Sequence, residues 1–316
     1  MGDMFTAQQI EQTLSNNSLA ARAMKVKLTR GTGIARMRDK QIEAQVNAQF
    51  GDDFTVTKKV FKNPNNPIVK RAKLAGEMYA YFTKYTLPHS DDGWRILPNN
   101  LYFEVSSQLA NYASMLEQYD RDITSNYDHH VQADINLRMP NWYTAAAEAQ
   151  ARGLPQPPMP CTGDYPTLDH MKRLLYVRYY FEPISTANDF RYMVTDQDKN
   201  RLNELLMQVE TKAKAWVYEQ MLDPMKAFIA KLSVPIGQEG SIFRDSLVGN
   251  LNELLGRLPK LNIDGDPHVQ QTLDSLKQII TPYVFNPSQL REDQTVRDNA
   301  RAKMEQLAQQ LEGYVL

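Results

Sequence analysis

The chain has 316 residues, of which 42% are hydrophobic and 23% are charged, and these values exclude a disordered or collagen-like protein. A single cysteine, Cys161, excludes an intramolecular disulfide and a thiolate zinc cluster, and it indicates a reducing compartment. The first residues lack the apolar core of a secretory signal, and no apolar stretch is long enough to span a membrane. We therefore expect a cytoplasmic protein without a membrane partner.

The charge is unevenly distributed along the chain. The net charge is only −1, yet residues 22–73 hold thirteen cations against four acids, a local balance of +9 that leaves −10 for the rest. This division indicates a polyanion-binding surface on a neutral or acidic body. The alternative is that these cations form a solvated face or pair with acids from elsewhere in the fold.

Helix signals dominate the sequence. In chain order we predict helices over residues 6–14, 34–50, 67–85, 101–119 (or as far as 131), 141–152, 196–235, 243–258, 267–281 and 288–312. Segments 54–61 and 175–184 are rich in β-branched and aromatic residues and predict strands. The Pro-rich segment 154–160 is a linker or lid candidate.

The predicted fold class is mainly α: a multi-helix body with a small β element of two short strands, and not an oligonucleotide-binding (OB) fold. We expect a single domain over residues 1–316. Its basic N-terminal part, at about 1–75, would pack on a helical body at about 76–316.

The glycines between Arg30 and Arg36 indicate phosphate contact. Gly31 and Gly33 expose backbone N–H groups beside guanidinium groups, and a phosphate chain approaches glycine closely because no Cβ intervenes. The pattern is not a Walker loop, and no dinucleotide-binding glycine motif occurs. We therefore predict extended phosphate contact rather than a nucleotide-binding enzyme.

Metal sites and nucleophiles are poorly supported. His129 and His130 are adjacent and point to different sides of a helix, and the remaining histidines lie far apart. Asp264 and Asp266 match only a fragment of a calcium loop, and Asp266 instead predicts a helix cap. We expect no enzyme, no cofactor and no metal, and a metal-dependent nuclease is the weakest hypothesis.

Two aromatic clusters suit single-stranded nucleic acid. Tyr81 and Tyr85 lie four apart on one predicted helix face, directly after a cluster of lysine and arginine. In the second predicted strand, Tyr176, Arg178 and Tyr180 share one face and alternate with residues of the other. The alternative in both places is that the rings pack in the core.

The candidate nucleic-acid-binding residues combine the basic segment with these aromatic clusters. They are Arg22, Lys25, Lys27, Arg30, Arg36, Arg38, Lys40, Lys58, Lys59, Lys62, Lys70, Arg71, Lys73, Tyr81, Tyr85 and Arg178.

Several short segments carry a resemblance to a known family. They are Gly93-Trp94-Arg95-Ile96-Leu97-Pro98, Asp164-Tyr165-Pro166-Thr167-Leu168, Phe181-Glu182-Pro183-Ile184 and Asp189-Phe190-Arg191. With the basic N-terminal part and the helical body, the chain resembles the single-stranded-DNA-binding RNA polymerase cofactors of podoviruses that carry a virion RNA polymerase. The resemblance implies a bacteriophage protein that binds single strands with little sequence preference. It also implies recruitment of a phage-encoded RNA polymerase to melted promoters in the host cytoplasm, and it assigns no binding residues.

Two functions of different classes follow. The first is a non-sequence-specific single-stranded DNA-binding protein that acts as a transcription cofactor and also in replication, and that forms a homo-oligomer. The alternative is a helical oligomeric scaffold or assembly protein without nucleic-acid affinity, supported by the long amphipathic helices after residue 196.

Overall fold

A computed structural model describes residues 19–33, 36–51, 53–61, 63–89, 92–185 and 195–314. Over these residues the chain is mainly α-helical with a small antiparallel β part, which confirms the predicted fold class. The helix predicted over residues 6–14 lies outside them.

Eleven α-helices occur in the described residues. They are α1 (Leu19–Arg22), α2 (Lys40–Phe50), α3 (Pro67–Lys84), α4 (Tyr102–Ser125), α5 (Tyr127–Ala151), α6 (Leu168–Leu174), α7 (Asp196–Leu232), α8 (Asp245–Leu261), α9 (Pro267–Val284), α10 (Gln289–Glu292) and α11 (Gln294–Glu312). The strands are β1 (Ala23–Arg30), β2 (Arg36–Arg38), β3 (Thr57–Lys59), β4 (Leu87–Pro88), β5 (Trp94–Pro98) and β6 (Val177–Pro183). Short 3₁₀ helices cover Asn99–Leu101 and Thr162–Asp164.

The strands form two sheets. Four of them lie in the order β4–β5–β1–β6, and β2 pairs with β3 in a separate antiparallel ribbon. The two predicted strand segments contain β3 and β6, so they belong to different sheets, and the predicted count of two strands is too low. The inner strand β1 was not predicted, although Lys25 and Lys27 alternate with its apolar residues as in a half-buried strand.

Helices α2 and α5 differ in extent from the prediction. The segment predicted as helix from residue 34 contains strand β2, and α2 begins at Lys40, where Asp39 accepts a hydrogen bond from Ile42 N at 3.2 Å. Helix α5 runs unbroken through Pro140, whereas only its second half was predicted. Helix α7 likewise continues through Pro224.

Two compact units are distinguished by their internal contacts. Unit 1 contains Met1–Lys27, Thr83–Glu104 and Tyr180–Leu316, and unit 2 contains Leu28–Phe82 and Val105–Tyr179. The predicted division near residue 75 does not coincide with a boundary of these units, the nearest of which lies between Phe82 and Thr83.

The core of unit 1 is a helical bundle. Helix α7 packs against α8, α11 and β4, and α9 packs against α8 and α11. Leu251, Leu254 and Leu258 of α8 recur at helical spacing and are buried. On α7 the buried apolar residues begin at Val209, whereas Leu205 is 50% exposed.

One apolar cluster of unit 2 joins many of its elements. It contains Val60, Phe61, Ile68, Ile123, Tyr127, Val131, Ile135, Tyr165 and Met171. These residues come from the segment after β3 and from α3, α4, α5, α6 and the residues before α6, so the cluster joins all these elements of the unit.

Candidate nucleic-acid interface

The thirteen cations of the basic segment are divided between the units. Arg22, Lys25 and Lys27 belong to unit 1, and the other ten belong to unit 2. Arg36 and Lys59 are backbone partners in the β2–β3 register, and Lys62 lies outside the described residues. The segment is therefore not one structural element.

Within the part of the chain that the structure describes, six of these cations form ion pairs. The pairs are Arg22–Glu210 at 3.2 Å, Lys25–Glu182 at 3.3 Å, Arg38–Glu43 at 2.5 Å, Lys58 with Asp39 at 3.2 Å and Asp164 at 2.6 Å, Arg71–Asp120 at 2.8 Å and Lys73–Glu77 at 3.8 Å. Most of the acids come from beyond residue 73. The excess of +9 is thus partly neutralised by the acidic remainder of the chain, as the alternative interpretation proposed.

The ion pairs of Lys58 and Arg38 keep the paired side chains ionised. Burial by itself would lower the pKa of Lys58, but its hydrogen bonds to Asp164 and Asp39 raise that pKa above the usual value. The hydrogen bond from Arg38 lowers the pKa of Glu43, so both partners stay ionised. These cations are committed to internal acids and are weaker candidates for phosphate contact.

Arg71 has a structural role. Its side chain is fully buried, and its Nε donates to Asp120 Oδ1 at 2.8 Å. The same guanidinium donates to the carbonyl oxygens of Gly31 and Tyr176. Because the group is buried and already has these partners, Arg71 is the weakest of the predicted phosphate contacts.

Gly31 is required by packing rather than by phosphate approach. Its N–H donates to Tyr176 O at 2.9 Å, and its carbonyl accepts from Arg71. A Cβ at this position would overlap the carbonyl oxygen of Leu174. The Gly31 N–H is therefore not available to a phosphate, contrary to expectation. Glycine is needed here because another part of the backbone lies close to its Cα.

Unit 2 carries an arginine–tyrosine patch, which we define as Arg30, Tyr79, Tyr176 and Arg178. The Arg30 guanidinium carbon lies 4.7 Å from the ring centroid of Tyr79, and that of Arg178 lies 5.9 Å from the centroid of Tyr176. Tyr79 and Tyr176 are 42% and 39% exposed. The patch thus presents ring surface and guanidinium groups together.

The end of β1 and the start of β6 hold the patch together. Gly31, which follows Arg30, bonds the backbone of Tyr176, and Thr29 Oγ1 donates to Arg178 O at 3.5 Å. Neither Arg30 nor Arg178 forms an ion pair with a side chain that the structure describes. Buried Arg30 Nε also lacks a hydrogen-bond partner there. Both guanidinium groups therefore keep charge that internal acids do not neutralise.

The two tyrosines that were predicted to stack bases are both partly buried. Tyr81 is half-buried, and its ring centroid lies 6.0 Å from that of Tyr112. Tyr85 is half-buried as well and belongs to unit 1. Tyr79, which precedes them in the chain, is the more exposed ring, and it was not among the predicted binding residues.

Unit 1 carries a separate lysine–tryptophan patch, defined as Lys25, Lys27 and Trp94. The register of β1 and β5 places Lys27 opposite Trp94. The two ammonium groups lie 4.9 and 5.6 Å from the Trp94 ring centroid. Trp94 was not among the predicted binding residues, because the pairing of β1 with β5 creates this cluster.

The remaining predicted cations are more isolated. Lys40 and Lys70 are exposed on α2 and α3, and Lys73 is exposed beside Glu77. Arg22 is turned inward, since it donates to Ile263 O at 2.9 Å as well as pairing with Glu210. Single exposed lysines support phosphate contact only weakly.

Two further observations concern the described residues. Their His, Cys, Asp and Glu side chains include no group of three or more that could hold a metal ion. None of their helices is both long and apolar enough to cross a membrane.

Comparison of the chain with protein-family models, curated proteins and solved structures found no match.

Proposed function

We propose that the protein binds single-stranded DNA with little sequence preference, as a bacteriophage transcription cofactor that recruits a phage RNA polymerase to melted promoters, with a further role in replication. The arginine–tyrosine patch is the observation that carries the DNA-binding part. The resemblance to podoviral polymerase cofactors supports the remainder.

The chemistry of the patch fits an unpaired strand. Exposed rings stack on base faces, each stacked base contributing roughly 1–3 kcal/mol, and guanidinium groups contact the phosphates between them. Base faces are accessible only when the strand is not in a duplex. Because stacking reads no base edge, the contact has little sequence preference.

Salt-dependent binding of an oligonucleotide tests this function. We would measure the affinity of the full chain for a fluorescent thymidine oligonucleotide across a potassium chloride series, with Arg30→Ala, Arg178→Ala and the double variant. Log affinity should fall linearly with log salt, and each lost phosphate contact should reduce the slope by about 0.7. Arg121→Ala is the matched control, because Arg121 is a 72% exposed arginine of the same unit outside the patch.

Several outcomes would refute the proposal. A flat salt response, equal affinity for duplex, or a double variant that binds like the unmodified chain would exclude the patch as a single-strand site. The polymerase role is tested separately, by whether purified phage RNA polymerase binds the chain on a preformed single-stranded promoter bubble.

The scaffold alternative is favoured by a different observation. Leu205 and Met207 of α7 are 50% and 67% exposed, although their helix otherwise buries its apolar residues. Sedimentation of the full chain and of Met207→Glu tests whether this surface joins copies of the chain. Oligomers that lose stability in the variant, without any DNA affinity in either protein, would support the scaffold.

A further inference from the structure

Unit 2 contains a cavity of about 680 Å³. It lies between the start of α5, the 3₁₀ helix Thr162–Asp164, the start of α6 and Met37 of β2. The volume falls within the range of about 300–1,000 Å³ that small-molecule sites occupy.

Aromatic rings form the floor of the cavity. Tyr127 and Tyr165 are buried, and their ring centroids lie 6.3 and 5.1 Å from that of Phe61. The Tyr127 hydroxyl donates to Pro166 O at 2.5 Å, and the Tyr165 hydroxyl donates to Asp134 Oδ2 at 2.8 Å. The floor therefore offers ring surface, since both hydroxyl protons are already used.

The rim is polar and carries negative charge. Asp128, Gln132, Thr162, Thr167 and His170 line it. The hydroxyl oxygen of Thr167 accepts a hydrogen bond from His170 N at 3.2 Å. The side-chain amide of Gln132 donates to Asn136 Oδ1 at 2.9 Å. Asp128 has no hydrogen-bond or ion-pair partner among the described side chains, so its carboxylate is free to accept a donor.

Besides its tyrosines, the described lining of the cavity has two ionisable side chains, Asp128 and His170. None of them is lysine or arginine. Neighbouring Lys58 is held by Asp39 and Asp164, and Arg138 donates to the Tyr165 hydroxyl at 3.2 Å. A phosphate would therefore meet an uncompensated carboxylate, whereas an uncharged ring with an amino group would find an acceptor and a stacking surface.

We propose that this cavity binds an uncharged heteroaromatic ring of nucleobase type. The ring packs on Tyr127 and Tyr165, and its exocyclic amine donates to Asp128. The ring belongs either to a free nucleoside or to a base turned out of a bound strand. The strand source rests on the proposed DNA-binding function, and the nucleoside source does not.

Calorimetric titration of the full chain with adenosine, cytidine and adenosine monophosphate tests the site. We expect saturable binding of the nucleosides and weaker binding of the monophosphate. Asp128→Asn should weaken nucleoside binding by roughly tenfold, the loss expected for a hydrogen bond to a charged group. Thr162→Trp fills the cavity and should abolish binding. Glu148→Gln, an exposed acid on the same helix α5, should bind normally.

The variants also separate this site from the arginine–tyrosine patch. The Arg30→Ala, Arg178→Ala double variant should bind adenosine normally, even if the DNA-binding proposal fails. If Thr162→Trp also weakens oligonucleotide binding, the cavity takes a base from the strand, and unchanged oligonucleotide affinity assigns it to free nucleosides. No nucleoside binding at millimolar concentration, or binding that neither Asp128→Asn nor Thr162→Trp changes in a normally melting protein, would overturn the proposal.

Discussion

Replacement of Arg71 by methionine tests whether this arginine stabilises the fold or binds DNA. The fully buried guanidinium of Arg71 donates hydrogen bonds to the Asp120 carboxylate and to the carbonyl oxygens of Gly31 and Tyr176. Removing one partner of a buried ion pair costs about 3–5 kcal/mol. Because Asp120 keeps 22% side-chain exposure and can regain water, we expect a loss near the lower end, about 3 kcal/mol in the free energy of unfolding.

Urea unfolding measures this loss in the unit concerned. Trp142 is the tryptophan of unit 2, so its fluorescence reports on that unit once Trp94 and Trp216 are replaced by phenylalanine in every protein compared. Lys70→Met is the matched control, because it removes the same charge from the exposed neighbouring position and should change stability by at most about 0.5 kcal/mol.

The opposite pattern would refute the assignment. If Arg71→Met unfolds at the same urea concentration as the control but loses most of its DNA affinity, Arg71 acts at the nucleic acid. A stability loss with unchanged DNA binding below the unfolding transition supports the structural role.

Three further predictions concern backbone packing and pH. Gly31→Ala should destabilise unit 2 by roughly 1–3 kcal/mol, measured by the same Trp142 unfolding assay, because its Cβ would overlap a backbone carbonyl; an unchanged midpoint would contradict that packing. Burial alone would raise the pKa of Asp266, but the Lys214 ion pair and further hydrogen bonds lower it. Its stabilisation should thus be present above about pH 4 and be lost on acidification below that value, a loss that Asp266→Asn should reduce in thermal melts. Burial raises the pKa values of Tyr127 and Tyr165 to about 12, so absorbance near 295 nm should show them ionising after exposed tyrosines. The stability they contribute should be lost as the pH rises from about 10 through 12, and titration of both near pH 10 in the folded chain would contradict their burial.

Local sequence signals predicted most of the helices. Helix α3 begins at Pro67 as expected for a proline in the first turn, and Thr195 and Asp266 cap α7 and α9 through their side chains. These signals depend on residues a few positions apart, so they can be recognised without knowledge of the tertiary fold. Strand pairing depends on distant residues, and therefore β1 and β5 were missed.

The sequence by itself determined the helical class, the uneven charge and the residue types available for binding a strand. Only the tertiary structure decided which of these residues serve that purpose. It buried Arg71, paired Lys58 with two acids, and placed Arg30 and Arg178 against exposed tyrosines. The physical reason is that a cation's availability depends on burial and on acids far away in the chain, which composition and spacing do not specify.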